Sequence, residues 1–107
     1  MSMEEVRQRV AEHDPDLIVL DVRERDAYEA AHIPGARHVP RGQLELRIDK
    51  ELPDPTARIL LYCEFGKIST LATAMLRTLG YTRAVALDGG VRAWREAGYP
   101  LEPAARA

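Results

Sequence analysis

The sequence predicts an α/β fold, an open parallel sheet with helices on both faces. Three short apolar runs, Leu17 to Leu20, Ile59 to Tyr62 and Ala84 to Leu87, lack the in-and-out alternation of a half-exposed strand, so each reads as a strand covered on both sides. Stretches with helical spacing precede, separate and follow them, and strands alternating with helices are the pattern of a parallel sheet. Open sheets of this kind place their ligand sites beyond the carboxyl ends of the strands. Asp21-Val22-Arg23, the stretch from Cys63 and Asp88-Gly89-Gly90 all fall there.

Taken in order, Ser2-Met3-Glu4-Glu5 has the Ser-x-x-Glu form of a capping box, and Val6, Val10 and Ala11 follow at helical spacing, predicting a helix to about Glu12. Asp14-Pro15-Asp16 is a turn. The first strand then runs to Leu20. Glu24 to Ala31 reads as a short helix with Ala27, Tyr28 and Ala31 on one side, ended by His32-Ile33-Pro34-Gly35-Ala36. Arg37-His38-Val39 is a short strand candidate before Pro40. Leu44, Ile48 and Leu52 recur every fourth residue and predict a helix from Gln43 to about Leu52, which Pro53-Asp54-Pro55 terminates. After the strand Arg58 to Tyr62, a helix capped by Ser69 is expected from Thr70 to about Leu79, with Leu71, Ala72, Met75, Leu76 and Leu79 as its apolar stripe and Gly80 closing it. Asp88 is placed as the cap of a last helix carrying Val91, Trp94 and Ala97, closed by Gly98. Trp94 and Tyr28 read as core residues, and 102–107 as a frayed tail.

At 107 residues the chain is expected to form one domain, large enough for its own core. Hydrophobic residues make up 46% and charged residues 30%, values of an ordinary globular protein. A formal net charge of −2 argues against nucleic acid as a partner. No run approaches membrane-spanning length, and charge occupies the place of a signal peptide's apolar segment, so no membrane association and a cytoplasmic location are expected. One cysteine excludes an internal disulfide. Three scattered histidines beside it lack the spacing of a zinc site, so neither metal nor cofactor is implied.

Cys63 itself stands between a strand and a helix, in a loop containing Gly66, the residue that tolerates a left-handed conformation without steric penalty. Such a loop directs unpaired N–H groups and the positive end of the helix dipole at its interior, a cradle for an anion. A cysteine there has its pKa lowered, and the thiolate is the reactive form. Cys63 therefore reads as a nucleophile, with a buried structural thiol as the alternative. Lys67 adds a positive charge for an anionic substrate, or is a solvated loop residue; Glu64 opposes it.

These stretches together resemble the rhodanese-like (sulfurtransferase) domain family along almost the whole chain. The residues that carry the resemblance are Leu20-Asp21-Val22-Arg23 with Tyr28 and His32-Ile33-Pro34-Gly35-Ala36, then Cys63-x-x-Gly66 with Ser69, then Leu79-Gly80-Tyr81, and Leu87-Asp88-Gly89-Gly90 followed by Trp94. The resemblance implies a rhodanese-like open parallel sheet and a sulfurtransferase in which Cys63 takes sulfane sulfur from thiosulfate or a persulfide such as glutathione persulfide. The resulting Cys63 persulfide passes it to cyanide or a thiol, or to a protein acceptor. On this resemblance Glu64, Phe65, Gly66, Lys67, Ile68 and Ser69 form the persulfide-binding loop. Asp21 and Arg23 support it as a charge-and-hydrogen-bond brace. His32 orders its turn or, as a second option, acts as a general base.

Two departures from the family keep alternatives open. Many active members carry arginine directly before the loop-closing serine, where this chain has Ile68, leaving Lys67 as the basic residue of the loop. That favours a non-catalytic rhodanese-like module that binds partners or senses oxidants. Cys63-Glu64-Phe65 also looks like the start of the active loop of dual-specificity cell-cycle phosphatases, but their loop is one residue longer, and Ser69 stands where their phosphate-binding arginine would fall.

Overall fold

The computed structural model describes residues 1–103. Helix α1 (Met3–Ala11) is capped by Ser2, whose hydroxyl accepts the Glu5 N–H, and is followed by β1 (Leu17–Asp21), α2 (Arg25–Ala30) and β2 (Arg37–His38). A 3-10 turn at Arg41–Gln43 leads into α3 (Leu44–Glu51), then β3 (Arg58–Tyr62), α4 (Lys67–Thr78), β4 (Ala84–Ala86) and α5 (Gly90–Glu96). The four strands form one parallel sheet in the order β2-β1-β3-β4.

Side chains alternate across the two central strands and so build a core on each face. Leu20, Ile59 and Leu61 pack with Leu44, Ile48 and Leu52 from α3 and its end, and with Ala72 and Leu76 of α4. Leu17, Val19, Leu60 and Tyr62 point the other way, onto Val6 of α1 and Val91 and Trp94 of α5. Helices therefore cover both faces, as expected. Cys63 continues the parity of Ile59 and Leu61, which puts it on the α4 side.

The register between β1 and β3 positions the site. Asp21 lies opposite Tyr62, so the chain leaves both strands at the same level, and the Val22 N–H donates to the Tyr62 carbonyl at 3.1 Å. Beyond β4 the ladder continues as Leu87 N–H to the Leu61 carbonyl at 2.9 Å, bringing the Asp88 turn alongside.

Several expectations change. Helix α4 begins at Lys67, three residues earlier than expected, and its N-cap is Gly66 at φ 105°; Ser69 lies within the first turn. The α4 stripe is narrower than its spacing implies: Ala72 and Leu76 are buried, whereas Leu71 and Leu79 face solvent. Asp88 does not cap α5, whose N-cap is Gly89 in a left-handed conformation with no side-chain cap. Val85 and Ala86 are half-buried because β4 is an edge strand. Glu102, placed in the frayed tail, exchanges backbone hydrogen bonds with His32, 2.9 Å each way; the remainder of that tail, residues 104–107, lies outside the described residues.

Candidate active site

The only cysteine sits one residue past the end of β3 and is 4% exposed. The chain reverses within Glu64, Phe65 and Gly66, then enters α4, so the first N–H groups of that helix have no partner of their own and turn back on the sulfur. The Gly66 N–H lies 3.1 Å and the Ser69 N–H 3.3 Å from Cys63 Sγ, with Ser69 Oγ at 3.4 Å. Burial pushes the Cys63 thiol up. The hydrogen bond with the Ser69 hydroxyl and those from the Ser69, Gly66 and Phe65 N–H groups outweigh that, and the net pKa is lowered. Ser69 does not cap the helix end: its hydroxyl is fully buried and also reaches the Gly66 carbonyl at 3.1 Å.

The loop rests on the glycine turn before α5. The Val91 and Arg92 N–H groups donate to the Cys63 and Glu64 carbonyls, both at 2.9 Å. A Cβ on Gly90 would lie 2.5 Å from the Glu64 carbonyl oxygen and 2.7 Å from that of Cys63, and φ is +66°. Only glycine allows this backbone-on-backbone approach.

A second chain of contacts runs from β1. Asp21 is fully buried and takes Arg23 in a bidentate pair, with Arg23 Nη2 to Oδ2 at 2.8 Å and Nε to Oδ1 at 3.1 Å. Arg23 also donates to the Ala31 carbonyl at 2.6 Å and reaches Glu64 at 3.4 Å, with its guanidinium 5.5 Å from the centre of the Tyr62 ring. Arg95 of α5 holds the other carboxylate oxygen of Glu64 at 2.9 Å. Its hydrogen bond is the main reason the Glu64 pKa is lowered, with Arg23 adding to it against some burial. The Glu64 charge is thus matched by two arginines.

The structure brings Cys63, Gly66 and Ser69 together at one sulfur and ties Asp21 and Arg23 to the loop through Glu64. Phe65, Lys67 and Ile68 instead face outward: Phe65 is 64% and Ile68 50% exposed. His32 is not part of this cluster. Its Nδ1 donates to the Tyr28 carbonyl at 2.9 Å, its ring stacks on Tyr28 at 4.1 Å, and its Nε2 lies 3.6 Å from Glu102; among the described residues it makes no hydrogen bond or ion pair with the Cys63 loop. Its turn-ordering role fits these contacts. Tyr28 is sandwiched, with His38 stacked on it at 4.6 Å, and its hydroxyl donates to the Ala36 carbonyl at 3.0 Å.

Three contributors escaped the sequence. Arg95, 31 residues from Glu64, has no local signal for its pairing; neither does Arg92, whose guanidinium lies 5.2 Å from the centre of the Phe65 ring. Tyr62, hidden in an apolar run, accepts the Ile33 N–H at 3.1 Å and fixes the turn after α2 to the end of β3. The tyrosine at a strand's last position, just before the cysteine, was the available cue.

The family model described as Rhodanese-like domain matches residues 2–97. The thiosulfate sulfurtransferase GlpE of Pseudomonas fluorescens is 35% identical over 85 residues, spanning 79% of this chain and 75% of that protein. YrkF of Bacillus subtilis is 36% identical over 94 residues, 88% of this chain but 49% of that protein. Among solved structures, the Alr3790 protein of Anabaena sp. superposes with a TM-score of 0.90 at 29% identity, covering 97% of this chain and 82% of that one. The relatives support rhodanese-type sulfur transfer as the chemistry of the group. No helix among the described residues is long and apolar enough to cross a membrane.

Proposed function

Because the chain belongs to the rhodanese-like domain family, we propose that it is a sulfurtransferase that carries sulfane sulfur on Cys63. The observation that carries this reading is the convergence of the Gly66 N–H, the Ser69 N–H and the Ser69 hydroxyl on one sulfur at the start of α4. The two N–H donors favour the thiolate, which attacks the outer sulfur of thiosulfate. The new bond joins Cys63 Sγ to that sulfur as the donor's S–S bond breaks, and sulfite leaves with the electron pair. The product is a Cys63 persulfide whose terminal sulfur carries the negative charge, a charge that inward-facing N–H groups stabilise as an oxyanion hole does. Cyanide or a thiolate then attacks the terminal sulfur, and the Cys63 thiolate returns as leaving group. Cys63 as a whole is only 4% exposed, so bulk water has little access to its side chain between the two half-reactions. A free thiol at this position also suits a reducing compartment such as the cytosol.

A second reading, a rhodanese-like binding or oxidant-sensing module, is favoured by one observation: Ile68 stands half-exposed at the loop position where a cation would meet thiosulfate. Intact-protein mass spectrometry after incubation with excess thiosulfate separates the two. A gain of one sulfur atom, removed by cyanide and absent in Cys63→Ser, is the expected result. No gain, or a gain retained in Cys63→Ser, overturns the sulfur-carrier reading.

A further inference from the structure

Four charged side chains form one line from the core to the surface beside Cys63. Asp21, at the end of β1, holds Arg23 Nη2 at 2.8 Å. Arg23 Nη1 reaches Glu64 Oε1 at 3.4 Å, and Glu64 Oε2 accepts Arg95 Nη1 at 2.9 Å. Two carboxylates alternate with two guanidinium groups, so the line is neutral while all four are present. Side-chain exposure rises along it, from 0% for Asp21 and 6% for Arg23 to 36% for Glu64 and 46% for Arg95.

The members differ in what their loss would disturb. Arg23 also donates to the Ala31 carbonyl, and Asp21 accepts the Arg23 backbone N–H, so changing either loosens the strand end and the turn after α2. The Arg95 side chain has a single hydrogen-bonding partner among the described residues, and that partner is Glu64. Arg92 and Arg95, one turn apart on α5, thus hold the carbonyl and the carboxylate of the same loop residue. Arg92 cannot stand in for Arg95, because Glu96 holds its guanidinium at 3.0 Å. The charge of the line therefore depends on Arg95. Consecutive Cα atoms are about 3.8 Å apart, which puts the Glu64 carboxylate within roughly a Debye length, ~10 Å at 0.1 M salt, of the Cys63 sulfur. Left uncompensated, that carboxylate would repel an anion approaching the sulfur.

We propose that Arg95 is a positioning residue for sulfur transfer, one that closes the line of charges and so lets an anionic reactant approach Cys63 past Glu64. The inference rests on the sulfur-carrier reading and adds to it a residue outside the loop. Thiosulfate arrives as a dianion, so its approach feels the sign of this patch more than its chemistry once bound does. KM moves and kcat stays.

The test reads the charge at Cys63 with two alkylating agents, anionic iodoacetate and neutral iodoacetamide, at one pH and low ionic strength. Both consume the same thiolate, so the ratio of their rates reports the field at the sulfur and needs no sulfur transfer. In Arg95→Gln the ratio of iodoacetate to iodoacetamide should fall about threefold, the size of an exposed and screened charge, and KM for thiosulfate should rise by a similar factor. Arg95→Lys keeps the charge and should keep the ratio. Adding Glu64→Gln to Arg95→Gln removes the stranded carboxylate and should restore the ratio, which a fold defect would not allow. A ratio unchanged in Arg95→Gln, equally low in Arg95→Lys, or still low in the double variant overturns the inference, while sulfur uptake from thiosulfate by the unaltered protein upholds the sulfurtransferase reading. If the ratios behave as expected and the unaltered protein takes no sulfur from thiosulfate, that reading falls and the positioning role with it.

Discussion

The Cys63 loop has two sides built by different means. The inward side is backbone and one hydroxyl: the N–H groups of Gly66 and Ser69 and the Ser69 Oγ at the sulfur, and the Cys63 and Glu64 carbonyls resting on Gly90. The outward side is side chain: Phe65, Lys67, Ile68 and Leu71, all exposed. On the proposed sulfurtransferase reading, stability and the chemistry of the sulfur rest on the first, and the choice of substrate on the second. A loop divided this way can change its outward residues without disturbing the thiolate.

The largest effect is expected from Gly90→Ala on the inward side. The added methyl would meet two carbonyl oxygens at 2.5 and 2.7 Å, and φ of +66° is strained for any L side chain. A loss of about 3 kcal/mol in urea denaturation is expected, combining backbone strain with overpacking. An unchanged midpoint would show that the turn is not what holds the loop.

Ser69→Ala is a smaller change on the same side, costing about 1 kcal/mol for a lost buried hydrogen bond. Its main effect is on the thiol. Because the folded pKa of Cys63 is lowered, the thiolate's contribution to stability is present above the pKa of the unfolded chain and fades as pH falls through the folded value. Without the Ser69 hydroxyl the lowering shrinks, so the inflection in the pH profile of iodoacetamide alkylation should move up, toward the free-thiol value of roughly 8.5. An inflection that stays in place would assign the lowering to the N–H groups alone.

Ile68→Arg sharpens the contrast from the outward side. Stability should shift by no more than about 0.5 kcal/mol, as for most exposed positions. At the same time kcat/KM for thiosulfate should rise about tenfold, which corresponds to ~1.4 kcal/mol of added attraction for a dianion. A loss of stability comparable to that of Gly90→Ala would erase the division between the two sides.

The same division explains what the sequence made legible. The central strands could be read because Leu17 to Leu20 and Arg58 to Tyr62 are apolar runs with no alternation, and the place of Cys63 between a strand and a helix followed from strand, glycine and helix in that order. The helix start was misread because serine at a helix end is usually a cap, whereas Ser69 turns its hydroxyl to Cys63 and the Gly66 carbonyl. Asp88 misled for the same reason: the left-handed Gly89 directs the entry into α5 instead. Asp21 and Arg23, two residues apart, were legible as a pair; Glu64 with Arg95 was not, because only the packing of α5 on the loop creates it. Leu71 fell on the expected stripe, yet lies at the loop's open edge, where no element covers it.

The sheet's order has a further consequence. Its long members, β1 and β3 with five residues each, are interior, and its rims are β2 with two residues and β4 with three. A neighbouring copy therefore finds hardly any unsatisfied ladder on which to add a strand. Short rims guard against edge-to-edge aggregation, so the exposed apolar residues beside Cys63 carry little risk of seeding a fibril.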